Sequence, residues 1–269
     1  MEKKIGFIGG GKMAQAMIAG IIQSSIVKPN QIMTSARSNE TLLSVKERFN
    51  VNITSSIQEV ARCSNILFLA VKPNLYSKII EEINEYVSPD TLVITIAAGI
   101  DLAFMENQFA RAVKVIRTMP NTPSLVGEGM SALCVNQFVT DQERDEVVGL
   151  YNSFGECVVV DEALMDSIPA ISGSSPAYVY MFIEALADGG VKQGIPRQQA
   201  YKLAAQAVLG AAKMVLETGK HPAELKDDVC TPGGATIEAV SELEKNGFRS
   251  AILSAMESCT DKAKALAKK

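Results

Sequence analysis

Ile5-Gly6-Phe7-Ile8-Gly9-Gly10-Gly11-Lys12-Met13-Ala14 is the stretch that decides the fold. A short β-type run, Lys4 to Ile8, feeds a Gly-x-Gly-x-x-Ala turn at Gly9, Gly11 and Ala14. The apolar positions then switch to helical spacing at Met13, Met17, Ile18, Ile21 and Ile22. A dinucleotide pyrophosphate needs this order of events. Gly9 permits the tight turn, and Gly11 lets the backbone approach the phosphates with no Cβ in the way. Ala14 lets the helix pack close to the strand, and the helix N-terminus offers free N–H groups to the anion. Gly9 to Met13 are therefore the first candidate cofactor-binding residues. The alternative is a glycine-rich loop heading an ordinary domain, but a strand before the turn and a helix after it favour nucleotide binding.

At 269 residues the chain has room for two domains or one large one. Its 47% hydrophobic content supports substantial cores, and a net charge of −4 gives no support to nucleic-acid binding by bulk electrostatics. The five cysteines are widely spaced and odd in number, with no Cys-x-x-Cys. That suits reduced thiols in a cytoplasmic protein, not a disulfide framework or a zinc site. The first strand begins within a few residues of Met1, so no signal peptide is expected, and no apolar run is suited to spanning a membrane. His221 is the only histidine, so a histidine triad or metal centre would rest on it alone, and no metal is expected.

Beyond the turn, strand and helix signals alternate. Ile32–Ala36 reads as a strand and Glu40–Phe49 as a helix; Asn65–Val71, Leu92–Ala97 and Val113–Arg117 read as buried strands. Met130–Val135 and Cys157–Val160, around a helix near Asp141–Ser153, extend the sheet. The pattern predicts an α/β doubly wound parallel sheet of Rossmann type. After Asp161 the signals are helical: Ser175 and Pro176 as N-cap and first turn of a helix through Ala187, Arg197–Glu217 stopped by Gly219, and His221-Pro222 opening a short helix. Thr231-Pro232 opens another through Lys245, and a last helix runs from Phe248 to the C-terminal lysines. The boundary is placed at Asp161: residues 1–161 bind a dinucleotide, and 162–269 form an all-helical domain. Ala177–Leu186 and Leu203–Leu216 are apolar on most sides and call for burial, which points to a homodimer over a compact monomeric bundle.

Rossmann-type domains that prefer NAD place Asp or Glu at the end of the second strand. Here that position reads Thr34-Ser35-Ala36-Arg37-Ser38, with no acid before Glu40. The Arg37 guanidinium with the Ser35 and Ser38 hydroxyls suits a 2′-phosphate, which selects NADPH and leaves NADH as the weaker cofactor. Ala70-Val71-Lys72-Pro73 and Ala97-Ala98-Gly99 fall at carboxyl ends of parallel strands, where the dinucleotide lies close to the sheet.

Thr231-Pro232-Gly233-Gly234-Ala235-Thr236-Ile237 is a second glycine-opened helix start, with no charge and several accessible N–H groups suited to a carboxylate. Thr236 adds a hydroxyl. A capped helix with glycines for close packing is an equal reading, and Ser172-Gly173-Ser174-Ser175-Pro176 carries the same ambiguity.

These segments, with Met119-Pro120-Asn121-Thr122-Pro123 and Ala187-Asp188-Gly189-Gly190-Val191, occur in the order that closely resembles the pyrroline-5-carboxylate reductase family over essentially the whole chain. The resemblance implies NADPH-dependent reduction of the cyclic imine Δ1-pyrroline-5-carboxylate to L-proline, the last step of proline biosynthesis. It also implies an intertwined helical dimer able to build larger rings. It gives Thr236 a hydrogen bond to the ring nitrogen and Gly233, Gly234 and Ala235 the carboxylate, and it places Thr231, Ser174, Ser175 and Asn121 at the substrate. The family often has glycine where Ser175 stands, and some relatives carry a glutamate at the position of Gly219, so no acidic role carries over there.

No acid lies in the substrate motifs. Thr236 is read as orienting the nitrogen, with water or an already protonated iminium supplying the proton. Two other readings are a related NADP-dependent imine or β-hydroxyacid dehydrogenase, which would want a lysine base absent from these motifs, and a non-catalytic NADP-binding redox sensor.

Two outcomes follow. An Arg–phosphate contact contributes roughly 1.5–3 kcal/mol, so Arg37→Ala is expected to weaken NADPH binding about tenfold or more; an unchanged ratio of NADPH to NADH use in that variant would count against the assignment. Light scattering at micromolar concentration is expected to give a dimeric or larger mass, and a monomeric mass would sink the dimer.

Overall fold

Alternation within the strands builds two apolar layers on one sheet. In the computed structural model, which describes residues 3–267, the strands are β1 (Ile5–Ile8), β2 (Ile32–Ser35), β3 (Asn52–Thr54), β4 (Ile66–Leu69), β5 (Leu92–Thr95), β6 (Lys114–Met119), β7 (Gly129–Val135) and β8 (Gly155–Val159). Ile5, Phe7, Ile66 and Phe68 point to one face, Ile8, Leu67 and Leu69 to the other. The Phe7 and Phe68 rings stack at 4.6 Å between centroids. Helices α1 (Lys12–Gln23), α2 (Asn39–Phe49) and α6 (Asp141–Tyr151) cover the first face through Met17, Ile18, Ile21, Val45, Val147 and Leu150. Helices α3 (Ile57–Cys63), α4 (Tyr76–Ile83) and α5 (Leu102–Phe109) cover the second through Val60, Ile80, Ile83, Met105 and Phe109.

Strand order is β3-β2-β1-β4-β5-β6-β7-β8. The order reverses on either side of β1, which makes the β1/β4 boundary the switch point where open sheets of this class bind ligands. β1 to β6 run parallel, as expected, but β7 runs antiparallel to β6, and β8 is parallel to β7. The reversal follows from the connection. Residues between β6 and β7 form only a 3-10 turn, Thr122–Val126, too short to carry the chain back for a parallel crossover.

A chain of buried hydroxyls crosses the strand ends. Tyr76 Oη donates to the Leu69 carbonyl at 2.6 Å, and Thr95 Oγ1 donates to Tyr76 Oη at 3.0 Å. Thr118 Oγ1 meets the Thr95 carbonyl at 3.0 Å and Tyr151 Oη at 2.7 Å. Tyr76 belongs to one face and Tyr151 to the other, so the chain ties both layers to β4, β5 and β6. Burial holds both phenols protonated, well above their ordinary pKa.

The chain divides into two compact units, Met1–Ser174 with Cys259–Lys269, and Ser175–Ser258. After the sheet come α7 (Ser175–Lys192), α8 (Arg197–Thr218), α9 (Pro222–Val229), α10 (Ala235–Lys245) and α11 (Phe248–Ala267); the last two lysines, expected at the helix end, lie outside the described residues. Gly219, with φ of 64°, ends α8 as expected. His221 caps α9: its Nδ1 accepts from the Ala223 N–H at 3.2 Å. Two helix starts differ from expectation. Ser175 is already helical, not an N-cap, because a π-type turn at Pro169–Gly173 leads into it and Ser174 has helical φ and ψ. α10 starts at Ala235 instead of Thr231, because Thr231–Gly234 forms a separate β-turn. In the second unit Tyr180 (60% exposed), Met181 (69%) and Leu216 (82%) face outward, and Tyr178, Phe182, Leu186, Phe248 and Ile252 line a groove of about 740 Å³. No described helix is long and apolar enough to cross a membrane.

Candidate functional site

Gly9 has φ of 110°, a conformation that side chains rarely adopt, and a Cβ there would stand 2.3 Å from the Ala70 carbonyl oxygen. Its N–H donates to the Ser35 carbonyl at 2.9 Å. One glycine thus locks the β1–α1 turn between the ends of β2 and β4. Gly11 is different: a Cβ built there meets nothing within 4 Å, so its face opens on space a ligand can fill.

Helix caps sharpen the contrast. α2, α3, α5 and α6 each begin with a side chain accepting from the first turn, from Ser38, Ser56, Asp101 and Thr140 respectively. α1 begins at Gly11 with no side-chain cap and no acid in its first turn. Its leading N–H groups are left for an anion. These two observations, an open glycine and an uncapped helix, are what a pyrophosphate requires.

Beside the turn lies a cleft of about 470 Å³, within the range of small-molecule and cofactor sites. It brings together Gly11, Lys12 and Met13 with Ala70, Val71, Lys72, Pro73, Ala97 and Ala98, all expected at the dinucleotide. Asn121 also lines it. Ile96, Met119, Pro120, Thr122 and Gly173 share the cleft and were not expected as site residues, although Met119, Pro120 and Thr122 belong to a segment that carries the family resemblance. Gly9 and Gly10 shape the turn without lining the cleft; Gly99 borders a separate cavity of about 10 Å³.

The loop after β2 is only partly as expected. Arg37 is exposed and has no hydrogen bond or ion pair among the described residues. Ser38 is occupied as the cap of α2, accepting from the Thr41 N–H at 3.2 Å and donating to Thr41 Oγ1 at 2.8 Å. Ser35, expected at the cofactor, is buried, and its Oγ has no hydrogen-bond partner among the described residues. As the last residue of a strand paired to β1, Ser35 has its hydroxyl buried, while Arg37 and Ser38 are exposed.

Asn121, expected at the substrate, lines the cleft and also braces its wall. Its Nδ2 donates to the Ser172 carbonyl at 3.0 Å, and its Oδ1 accepts from the Met130 N–H at 2.9 Å. Ser174 donates its N–H to the Pro169 carbonyl, and its Oγ accepts from the Cys259 thiol at 3.3 Å. The other expected substrate residues belong to the second unit. There Gly234 N–H donates to the Thr231 carbonyl at 3.0 Å, and Gly233 at φ of 68° supplies the left-handed residue of a Pro-Gly turn. Gly234 is the N-cap of α10 with no side-chain hydrogen bond, as Gly11 is for α1. Ala235, Thr236 and Ile237 head that helix, and Thr236 is half-buried, its hydroxyl without a hydrogen-bond partner among the described residues. Among the described residues no cluster of His, Cys, Asp or Glu has the make-up of a metal site. Burial lifts the thiols of Cys134 and Cys157 to about 12, leaving them inert as nucleophiles.

Comparison with known proteins places these features. Residues 162–266 match the family model for pyrroline-5-carboxylate reductase dimerisation, and residues 4–99 match that described as NADP oxidoreductase coenzyme F420-dependent. The chain is 49% identical, over the full length of both, to the pyrroline-5-carboxylate reductase of Escherichia coli. It is 41% identical to that of Arabidopsis thaliana over 98% of this chain and 95% of the relative. The solved structure of the Plasmodium falciparum pyrroline carboxylate reductase with NADP bound superposes with a TM-score of 0.91 at 35% identity, over 99% of this chain and 98% of that one.

The two glycines of the turn are expected to separate on substitution. Gly9→Ala should lower the melting temperature by several degrees, since strain and a backbone clash combine. Gly11→Ala should leave the melting temperature nearly unchanged yet weaken NADPH binding about tenfold or more, read by nucleotide titration. Equal losses of stability in both would contradict the assignment of Gly11 to the ligand.

Proposed function

The chain belongs to the pyrroline-5-carboxylate reductase family, and from that premise we propose how its two glycine-opened helices divide the work. It is an NAD(P)-dependent oxidoreductase that reduces Δ1-pyrroline-5-carboxylate to L-proline, the closing step of proline biosynthesis, with NADPH as cofactor. We assign residues 1–161 to the dinucleotide and 162–269 to substrate binding and dimerisation. The N-terminus of α1 holds the pyrophosphate, the cleft wall at Ala70–Pro73 and Ala97–Ala98 takes the rest of the dinucleotide, and Arg37 takes the 2′-phosphate. When bound, the dinucleotide supplies the hydride.

The observation that carries the substrate assignment is the uncapped N-terminus of α10. Its leading N–H groups, Ala235 and Thr236 among them, receive the carboxylate, where the helix dipole adds to the hydrogen bonds. The Thr236 hydroxyl, without a hydrogen-bond partner among the described residues, turns to the ring nitrogen. A hydroxyl is too weakly acidic to donate a full proton at neutral pH, so Thr236 orients the nitrogen and stabilises charge, and the proton comes from water or from an iminium that arrives protonated. Positioning of hydride donor and imine then supplies most of the acceleration. The outward apolar side chains of α7 and α8 support a homodimer, and larger rings of dimers are the extension we propose from the family. Five cysteines without a disulfide support a cytoplasmic location.

The reading is tested by NADPH oxidation with pyrroline-5-carboxylate beside a panel of hydroxyacids and other cyclic imines; preference for any other substrate would overturn it. Thr236→Val is expected to lower kcat/KM by roughly 10- to 100-fold, equivalent to about 1.5–3 kcal/mol, and wild-type turnover in that variant would refute the role of Thr236.

A further inference from the structure

Arg117 is, among the described residues, the one charged side chain that is buried, at 5% exposure. It stands in the run Val115-Ile116-Arg117-Thr118-Met119 of β6, paired in register with Thr95 of β5 and Cys134 of β7. A cation in the middle of a sheet is expensive unless paired and hydrogen-bonded. Its partners both come from the segment after β8. Arg117 Nη2 donates to Asp166 Oδ1 at 2.5 Å, and Nη1 reaches Glu162 Oε1 at 3.5 Å. The same Glu162 oxygen accepts from the Leu102 N–H at 2.7 Å, so the carboxylate also ties the start of α5.

We propose that Arg117 is a positioning residue for the reaction: clamped to Asp166 and Glu162, it fixes the segment 162–174 that carries Gly173 into the wall of the dinucleotide cleft. The proposal rests on the reductase reading above. A direct anion-binding role is excluded by two observations. The guanidinium is already engaged by two carboxylates, and the cavity it shares with Ala97, Ala98 and Gly99 has about 10 Å³, room for one water at most. Three residues past Asp166 the chain enters the Pro169–Gly173 turn, where Asn121 holds the Ser172 carbonyl. Gly173 then lines the cleft, with Met119 Cε 2.9 Å from where its Cβ would be. The turn is therefore pinned twice, at Asp166 by Arg117 and at Ser172 by Asn121, and both pins stem from the same end of β6.

Stability alone does not account for such a pair, because well-packed apolar replacements of buried ion pairs are often neutral or stabilising. What they lack is direction: a guanidinium–carboxylate contact fixes the separation and orientation of two segments. A displaced wall leaves the cofactor bound while misaligning the reacting atoms, an error that costs about 10- to 100-fold in rate.

The test uses the full chain with R117M/D166L, D166N and R117K. Melting temperature, NADPH dissociation constant, and kcat and KM for pyrroline-5-carboxylate are measured for each. The double variant is expected to keep its melting temperature within a few degrees and its NADPH affinity within about twofold, while kcat falls about 10- to 100-fold; R117K should recover part of kcat. A folded double variant with wild-type kcat, or one whose loss is explained by weaker NADPH binding, overturns the proposal. If the double variant does not fold, D166N, which keeps the side-chain size, decides by the same split: reduced kcat at unchanged NADPH affinity supports the clamp, and unchanged kcat overturns it. Wild-type protein that binds NADPH but leaves pyrroline-5-carboxylate unreduced would defeat the reductase reading itself, and the proposal with it.

Discussion

A backbone cannot pass close to another backbone while carrying a Cβ, and the contact between Gly9 and the Ala70 carbonyl is where this chain depends on that limit. The turn after β1 runs against the end of β4 and hydrogen-bonds to the end of β2. Three strands therefore share one junction. Because it is tight, the first turn of α1 arrives at the carboxyl edge of the sheet with its N–H groups aimed outward, and the cleft walls from β4, β5 and β6 stand beside it. The rest of the nucleotide unit holds that junction: two apolar layers, one on each face, and a chain of hydroxyls binding the strand ends together.

The two helix starts that matter chemically are built alike. α1 and α10 open on glycine with no side-chain cap; α4 and α8 also lack a side-chain cap but start from Leu75 and Pro196, while α2, α3, α5 and α6 are each closed by a serine, aspartate or threonine. A cap contributes on the order of 1 kcal/mol. Without it, the leading backbone donors of α1 and α10 are left unpaired by any side-chain cap.

Most of this was legible in the sequence where the physics is local. The strand–turn–helix at the start needs particular residues at particular offsets. Direction was not legible: periodicity reads the same along a strand either way, so β7 was placed in the sheet without its reversal. β3, three residues with a polar first position, has no run of its own to detect. Ser175-Pro176 and Thr231-Pro232 both look like an N-cap followed by a first-turn proline, yet a preceding π-type turn claims the first and a Pro-Gly turn the second. Sequence also cannot say on which side of a strand the Ser35 hydroxyl is buried. Arg117 had a signal, a lone charge inside an apolar strand that demands a partner, but the partners lie more than forty positions away in the chain.

The hydroxyl chain across β4, β5 and β6 has a consequence for how the enzyme answers to acidity. Its two phenols are held protonated by burial, and its two threonine hydroxyls do not ionise at all. The thiols of Cys134 and Cys157, next along the sheet, are also neutral far above physiological pH. The two phenols and two thiols therefore stay neutral at physiological pH. Any pH dependence of the reaction therefore originates outside this hydroxyl chain.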